Sequence, residues 1–186
     1  MIFLRFLINM IDLSSYLYDL IQNSIQAKAT YIFLSITWGS KIKIHLKDNG
    51  CGMDEETLIR AQSPFYTTRT TRNVGLGIPL LMLLAEQTEG TFKITSKKNK
   101  GTDVYLTMNK KSIDLPPIGD LGDMLYALTI HQDIKQFVFK SIGKKTYTYH
   151  ASIIKKEFKD VLYDHKIMHT LIQFMNQEIT LSRGDI

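Results

Sequence analysis

The 186-residue chain has room for one ordinary domain and at most a small appendage. Its hydrophobic fraction of 44% and charged fraction of 22% are typical of globular proteins and exclude intrinsic disorder. The net charge of +5 lies wholly in residues 1–111, which hold 14 basic and 9 acidic residues. This charge suits an anionic ligand, but along the sequence it is not the dense basic stripe expected of a DNA-binding domain. A single cysteine, Cys51, excludes an intramolecular disulfide and favours a reducing, cytoplasmic setting.

The first 111 residues carry alternating helical and strand patterns. The apolar stretch 1–10 is too short to span a bilayer and lacks the features of a signal peptide, so we expect no membrane association. Apolar spacing and turn residues predict the elements in chain order. They are a helix over 12–29, strands over 31–37 and 41–47, helices over 54–61 and 78–88, and a hairpin of strands 91–96 and 102–109.

Residues 112–186 are expected to form a small C-terminal α+β extension. Pro116 and Pro117 mark a linker over 112–120. Beyond the linker, the patterns predict a helix over 120–132, strands over 136–141 and 145–150, and helices over 152–160 and 164–177. We therefore divide the chain into a domain of residues 1–111 and an extension of residues 112–186.

The first helix carries a candidate metal-binding pair. Asp19 and Asn23 are four residues apart and lie on one helical face, where a carboxylate and an amide oxygen can hold Mg²⁺ and a water. The alternative is the solvated side of an amphipathic helix, which the pair alone does not exclude.

Two glycine-containing segments are candidate ligand-binding loops. Residues 48–53 (Asp-Asn-Gly-Cys-Gly-Met) follow a strand, and their glycines permit close approach of a ligand to the backbone. A simple strand-exit turn is the alternative. Gly75-Leu-Gly77 opens a helix after a loop that contains Arg69 and Arg72. A helix N-terminus attracts phosphate, and arginine adds forked contacts; the alternative is a glycine-started helix behind a flexible loop.

Taken together and in this order, the segments resemble the histidine-kinase-like ATPase superfamily, which has a Bergerat-type ATP-binding fold. Residues 19–27 resemble its asparagine box, residues 48–53 its first glycine box and residues 75–77 its second. Residues 63–69 are similar to a segment that precedes the second box in sensor kinases, and Gly101-Thr102 to a pair at the last core strand. A narrower resemblance, through residues 67–79 and 113–120, is to small free-standing bacterial ATP-binding proteins.

The resemblance implies a fold and a set of residue roles. The fold is a two-layer α/β sandwich of a mixed sheet and helices, with ATP and Mg²⁺ as ligands. Asp48 would accept the adenine amino group, Thr102 would support the base through water, and Asn23 would bind Mg²⁺. Asp19 would stand where other branches place a catalytic base. The remaining implied contacts are Gly50, Gly52 and Met53 beside the base, Gly75, Leu76 and Gly77 at the phosphates, and Thr68, Arg69 and Arg72 in a lid.

Three functions remain open from the sequence. The leading hypothesis is an ATP-binding protein with slow hydrolysis, coupled to a change in its lid or in partner binding. The alternatives are a kinase that phosphorylates a separate protein and a non-catalytic adaptor that senses ATP. Asp19 is one methylene shorter than the glutamate base of some branches, which bears on its reach to water. We expect a protein partner, leave homodimerisation open, and expect no nucleic acid because aromatic residues are not interleaved with the lysines of 97–100.

Overall fold

A six-stranded mixed sheet covered by helices on one face forms the architecture. The computed structural model of the chain describes residues 12–63 and 77–184. In chain order the elements are α1 (Leu13–Gln26), β1 (Tyr31–Thr37), β2 (Lys41–Asp48), α2 (Glu55–Ala61), α3 (Gly77–Gln87), β3 (Thr91–Lys97), β4 (Gly101–Asn109), α4 (Leu121–Ile130), β5 (Gln136–Ile142), β6 (Thr146–His150), α5 (Ala151–Phe158), a 3₁₀ helix (Lys159–Tyr163) and α6 (His165–Arg183).

The strands run in the order β3-β4-β2-β1-β5-β6. All neighbours are antiparallel except β1 and β5, which pair in parallel with Ile32 opposite Phe137 and Leu34 opposite Phe139. The two strands of the C-terminal extension therefore continue the sheet of the first 111 residues. The boundary we placed at residue 111 separates two parts of one sheet.

Strand alternation places the hydrophobic core on one side of this sheet. Ile42, Ile44 and Leu46 of β2 are at most 2% exposed. The outward-facing positions of the same strand hold half-buried His45 and the exposed lysines Lys41, Lys43 and Lys47. Buried side chains of α1, α3, α4 and α6 join these strand residues in one hydrophobic cluster. The predicted two-layer sandwich of a mixed sheet and helices is confirmed. None of the helices in the described ranges combines the length and apolar character needed to cross a bilayer.

The segment predicted as a linker, residues 112–120, forms hydrogen bonds with the first residues of α1. Backbone N–H groups of Leu13 and Ser14 donate to the carbonyls of Pro117 and Ile118 at 2.8 and 3.0 Å. A helix leaves its first N–H groups without partners inside the helix, so this segment supplies two of the missing acceptors. Gly119 has φ of +75°, and a Cβ there would lie 2.2 Å from the Asp12 carboxyl carbon. Residues 117–119 are thus packed against the helix that carries Asp19 and Asn23.

Asp12 caps α1, and replacing it is expected to destabilise the fold in a pH-dependent way. Its carboxylate accepts hydrogen bonds from the Ser15 N–H at 2.8 Å and from the Ser14 and Ser15 hydroxyls. Partial burial works to raise its pKa, but these hydrogen bonds outweigh burial and lower the pKa below its usual value. We expect Asp12→Ala to reduce the free energy of unfolding by about 1 kcal/mol at neutral pH, the usual value of an N-cap.

The difference between wild type and Asp12→Ala should be full above the ordinary aspartate pKa and should shrink as pH falls through the lowered pKa, because only the ionised form is favoured by folding. Urea unfolding at several pH values measures this difference. Asp12→Asn, which retains a capping oxygen without the titration, is the matched control. Equal stability of the alanine variant and wild type at pH 7 would contradict the assignment.

Candidate nucleotide-binding site

A cavity of about 330 Å³ lies between α1, the loop after β2, α2, the start of α3, and strands β3 and β4. Its walls combine apolar side chains with a few polar groups, as small-molecule sites usually do. The lining residues are Leu20, Asn23, Ser24, Gln26, Ala27, Leu46, Asp48, Cys51, Gly52, Met53, Thr57, Ala61, Ile78, Ile94, Thr102 and Val104.

Asp48 is the buried acceptor of this cavity, with only 4% of its surface exposed. It ends β2 in register with the inward-facing Leu46, which is why its side chain lies on the helix-covered face. One carboxylate oxygen accepts from the Gly50 N–H at 2.8 Å and the other from the Ser24 hydroxyl at 2.7 Å. Each oxygen has a second lone pair, so the carboxylate is held in place and can still accept from an amino group.

The loop after Asp48 passes through a gap that accommodates only glycine at two positions. Gly52 has φ of +60°, and a Cβ there would lie 2.1 Å from the Lys97 carbonyl oxygen. At Gly50 a Cβ would lie 2.8 Å from the Ala27 carbonyl oxygen. Between them, the Cys51 N–H donates to the Ala27 carbonyl at 2.8 Å, and the Cys51 carbonyl accepts from the Asn99 N–H at 2.6 Å. The loop is thereby fixed between the end of α1 and the β3–β4 turn.

Ser96 connects this loop with Thr102. Its hydroxyl oxygen lies 3.0 Å from the Thr102 hydroxyl and 3.0 Å from the Gly101 carbonyl oxygen, and it accepts from the Met53 N–H at 2.8 Å. Three parts of the cavity wall therefore meet at one side chain. Ser96 and Ser24 were not predicted as site residues, because their contacts follow from strand register and helix packing. Ser24 lies within the asparagine-box segment 19–27, and Ser96 lies outside the motifs.

Helix α2 forms the rim of the cavity through Thr57. Asp54 is its N-cap and accepts from the Thr57 N–H at 2.9 Å. Hydrogen bonds from the Thr57 hydroxyl and N–H lower the pKa of Asp54 below its usual value. The cap therefore fixes the start of the helix that places Thr57 and Ala61 in the cavity wall.

The N-terminus of α3 lies beside the polar face of α1. A Cβ at Gly77 would lie 3.5 Å from the Asn23 amide nitrogen and 4.0 Å from the Asp19 Cβ. The free N–H groups and positive dipole end of a helix start favour phosphate there. The structure thus brings Gly77 close to Asp19 and Asn23, which lie on a helix far from Gly77 in the sequence.

Asp19 is exposed and lines a neighbouring cleft instead of the nucleotide-sized cavity. The cleft has a volume of about 590 Å³ and is formed by α1 and the start of α4, where Tyr18, Asp120 and Asp123 also line it. Asp19 and Asn23 are one helical turn apart, so Asp19 stands between the cavity and an opening to solvent. The Asp19 side chain can therefore contact either a water molecule or another molecule that enters the cleft.

The other predicted lid and phosphate residues lie outside the described residues: Thr68, Arg69, Arg72, Gly75 and Leu76. Within residues 12–63 and 77–184, no three His, Cys, Asp or Glu side chains form a group that could hold a metal ion. Asn23, to which the resemblance assigns Mg²⁺, lines the cavity.

Comparisons with known proteins agree with this geometry. Residues 9–112, more than half of the chain, match the family described as "Histidine kinase-, DNA gyrase B-, and HSP90-like ATPase". Sporulation kinase E of Bacillus subtilis is 39% identical over 67 residues, which cover 36% of this chain and 9% of the kinase. Sensor histidine kinase ZraS of Escherichia coli is 31% identical over 97 residues, which cover 50% of this chain and 21% of the kinase.

The chain spans less than a quarter of the length of these two kinases. Among solved structures, the N-terminal domain of a DNA repair protein matches with a TM-score of 0.52 at 18% identity and covers 75% of this chain and 51% of that one. This likeness shows the fold alone. With the matched family region extending over both glycine boxes and the asparagine box, the chain belongs to the histidine kinase-, DNA gyrase B- and HSP90-like ATPases, and residues 9–112 are its ATP-binding region.

Proposed function

We propose that the chain binds ATP with Mg²⁺ in the cavity and hydrolyses it slowly, with Asp19 as the general base. The observation that carries the proposal is the closeness of Gly77, at a helix start, to the Asn23 amide and to the Cβ of Asp19. Asp48, which is buried in the wall of the same cavity, supports an orientation in which the adenine amino group faces that carboxylate.

Each residue has a separate chemical task in this proposal. Asp48 accepts the adenine amino hydrogen, and backbone N–H groups at Gly77 face the phosphates. The Asn23 amide oxygen would hold Mg²⁺, which when bound neutralises phosphate charge. Asp19 takes a proton from the attacking water as the bond to the terminal phosphorus forms and the bond to the bridging oxygen breaks, giving ADP and phosphate. Such catalysis relies mainly on positioning and charge stabilisation.

Asp19→Asn is the variant that tests the general base. It preserves the size of the side chain and removes its basicity, so we expect the release of labelled phosphate from γ-labelled ATP to fall about 100-fold or more. The affinity for ATP should change less than threefold, roughly the noise of comparing variants. Asp123→Asn, which alters the same cleft on α4, is the matched control.

Two results would refute hydrolysis assisted by Asp19. An unchanged rate of hydrolysis in Asp19→Asn would show that Asp19 is not a general base and that the site acts by positioning alone. If the wild-type protein retains all of the label as intact bound ATP, it does not hydrolyse ATP. The chain would then be an ATP sensor or a kinase without its acceptor.

A second candidate function, phosphoryl transfer to a separate protein, is favoured by the exposure of Asp19 at an open cleft. A side chain of another protein can enter from solvent where water would otherwise stand. Both bacterial relatives described above are kinases, which is consistent with this candidate. Incubation with γ-labelled ATP and an extract of the source cells, followed by gel separation, would show label on a protein band that the Asp48→Ala variant does not produce.

A further inference from the structure

The face of the sheet opposite the helices carries a concentrated positive charge. Outward-facing strand positions hold six lysines, of which Lys140 is half-buried and the others are exposed. Along the six described strands, Asp103 is the one acidic residue on this face. Six lysines and one aspartate give +5, which equals the net charge of the whole chain. The six are Lys41, Lys43, Lys47, Lys93, Lys97 and Lys140.

We propose that this open face binds single-stranded nucleic acid. Lysines would contact the phosphates, and the aromatic side chains between them would contact the bases. Proteins that bind single strands without strong sequence preference combine these two features: a basic surface that follows the backbone and aromatic rings on which bases stack.

Aromatic side chains stand at the centre of the face. His45 and Tyr105 are directly paired on β2 and β4, and their rings are stacked with centroids 4.2 Å apart and planes 9° from parallel. Phe33 on β1 meets the His45 ring edge-on at 5.7 Å. Tyr105 is 44% exposed, which leaves part of its ring surface available to a base.

The strand register places lysines beside these rings. Lys93 is paired with Tyr105 across β3 and β4, and Lys47 is paired with Phe33 across β1 and β2. In the sequence these partners are 12 to 14 residues apart. Our expectation of no nucleic acid relied on lysines and aromatics not being interleaved along the chain. The sheet interleaves them across strands, which is why we now propose the opposite.

The lone carboxylate on the described strands of this face is already engaged. Asp103 lies 2.9 Å from the His45 ring nitrogen and 3.5 Å from the Lys47 ammonium group. Its contact with His45 holds the ring that stacks on Tyr105, so Asp103 supports the aromatic cluster while its charge is partly balanced. An acidic protein would use the lysines but would leave the stacked rings without a role. The rings therefore favour nucleic acid over an acidic protein as the occupant.

Fluorescence anisotropy with the full chain and a labelled oligothymidylate of about 20 nucleotides, longer than one such site, tests the proposal. We expect binding at low salt. The slope of the logarithm of the binding constant against the logarithm of the salt concentration should change by about 0.7 for each lysine that no longer neutralises a phosphate. Lys43→Glu with Lys93→Glu should weaken binding at least tenfold. Lys156→Glu with Lys166→Glu, on the exposed sides of α5 and α6, makes the same charge change elsewhere and should weaken binding less than threefold.

Tyr105→Ala separates stacking from charge. Loss of stacking on one base corresponds to about fivefold to 100-fold weaker binding, with the salt slope unchanged. Polyglutamate of similar length is the competitor for the acidic-protein alternative. ATP affinity, measured on every variant, reports whether the fold and the cavity on the other side of the sheet are intact.

Three results would overturn the proposal. The first is that the oligonucleotide does not bind at low salt. The second is that the charge-matched control pair weakens binding as much as the pair on the sheet does. The third is that polyglutamate displaces the labelled oligonucleotide as efficiently as unlabelled oligonucleotide does, while Tyr105→Ala has no effect. The last result would identify an acidic protein as the occupant. Nucleic-acid binding and ATP hydrolysis have separate readouts, so failure of one leaves the other standing.

Discussion

Asp48→Asn is expected to weaken ATP binding strongly while leaving the protein folded. The asparagine oxygen can accept from the Gly50 N–H, and its NH₂ group can donate to the Ser24 hydroxyl, so both buried partners keep a hydrogen bond. The adenine amino group, however, would meet an amide that has neither the negative charge nor the second acceptor atom of the carboxylate. A charged hydrogen bond contributes about 1.5–3 kcal/mol, and the opposing NH₂ group adds repulsion. We expect affinity to fall about 100-fold or more.

Asp48→Ala should lose ATP binding as well, with an additional loss of stability. It leaves the Ser24 hydroxyl and the Gly50 N–H without their acceptor in a site that is shielded from solvent, since Asp48 is 4% exposed. Each unsatisfied buried group costs about 1–3 kcal/mol. The asparagine variant therefore tests recognition of the adenine amino group with the fold preserved. The alanine variant also measures how much the buried hydrogen bonds of Asp48 contribute to stability.

Isothermal titration with ATP and Mg²⁺ measures the change in affinity, and thermal unfolding reports the fold. Asp103→Asn is the matched control, because Asp103 lies on the opposite face of the sheet. Asp103→Asn should bind ATP like wild type. If Asp48→Asn also binds ATP as tightly as wild type, Asp48 in the cavity on the helix side does not recognise the nucleotide.

The candidate site was predictable from the sequence where motif residues themselves make the contacts. Strand alternation over residues 41–47 places Asp48 on the inward face, and the structure has it buried there. The i, i+4 spacing places Asp19 and Asn23 on the less buried side of α1, as observed. What could not be predicted are the partners that hold these groups. Ser96 reaches Met53 and Thr102 only through the register of β3 on β4.

The C-terminal extension shows the same limit at the level of the fold. Its two strands and three helices follow from local patterns, but its attachment does not. Parallel pairing of β5 with β1 joins residues about a hundred positions apart, and no local pattern specifies such a crossover. The last helix continues to Arg183 instead of ending at Gln177, because Ile179 and Ser182 are buried and the first stop is Gly184 in the left-handed region.

Gly52→Ala is expected to destabilise the fold strongly. Gly52 has φ of +60°, where an L side chain costs about 1–2 kcal/mol. The added Cβ would also lie 2.1 Å from the Lys97 carbonyl oxygen and 3.0 Å from that of Gly101, and both neighbours are backbone that cannot rotate away. We expect the free energy of unfolding to fall by about 3 kcal/mol, which lowers the Tm by about 6–12 °C for a chain of this size.

The same substitution should weaken ATP binding, because relieving the contact moves the loop away from the β3–β4 turn. That movement separates the Met53 N–H from the Ser96 hydroxyl, to which it donates at 2.8 Å, and shifts the wall that Thr102 shares. We expect about a tenfold loss of affinity, the effect of losing about one hydrogen bond.

Gly39→Ala is the matched control, since its Cβ would meet nothing closer than the Lys41 carbonyl oxygen at 3.6 Å and its φ is not in the left-handed range. It should change stability by less than about 0.5 kcal/mol. Thermal unfolding and ATP titration of both variants distinguish two roles of Gly52. Loss of stability with unchanged affinity would make the glycine a structural turn residue, whereas loss of both ties the loop to nucleotide binding. Unchanged stability would contradict the close approach of the loop to Lys97 and, with it, the shape of the cavity wall.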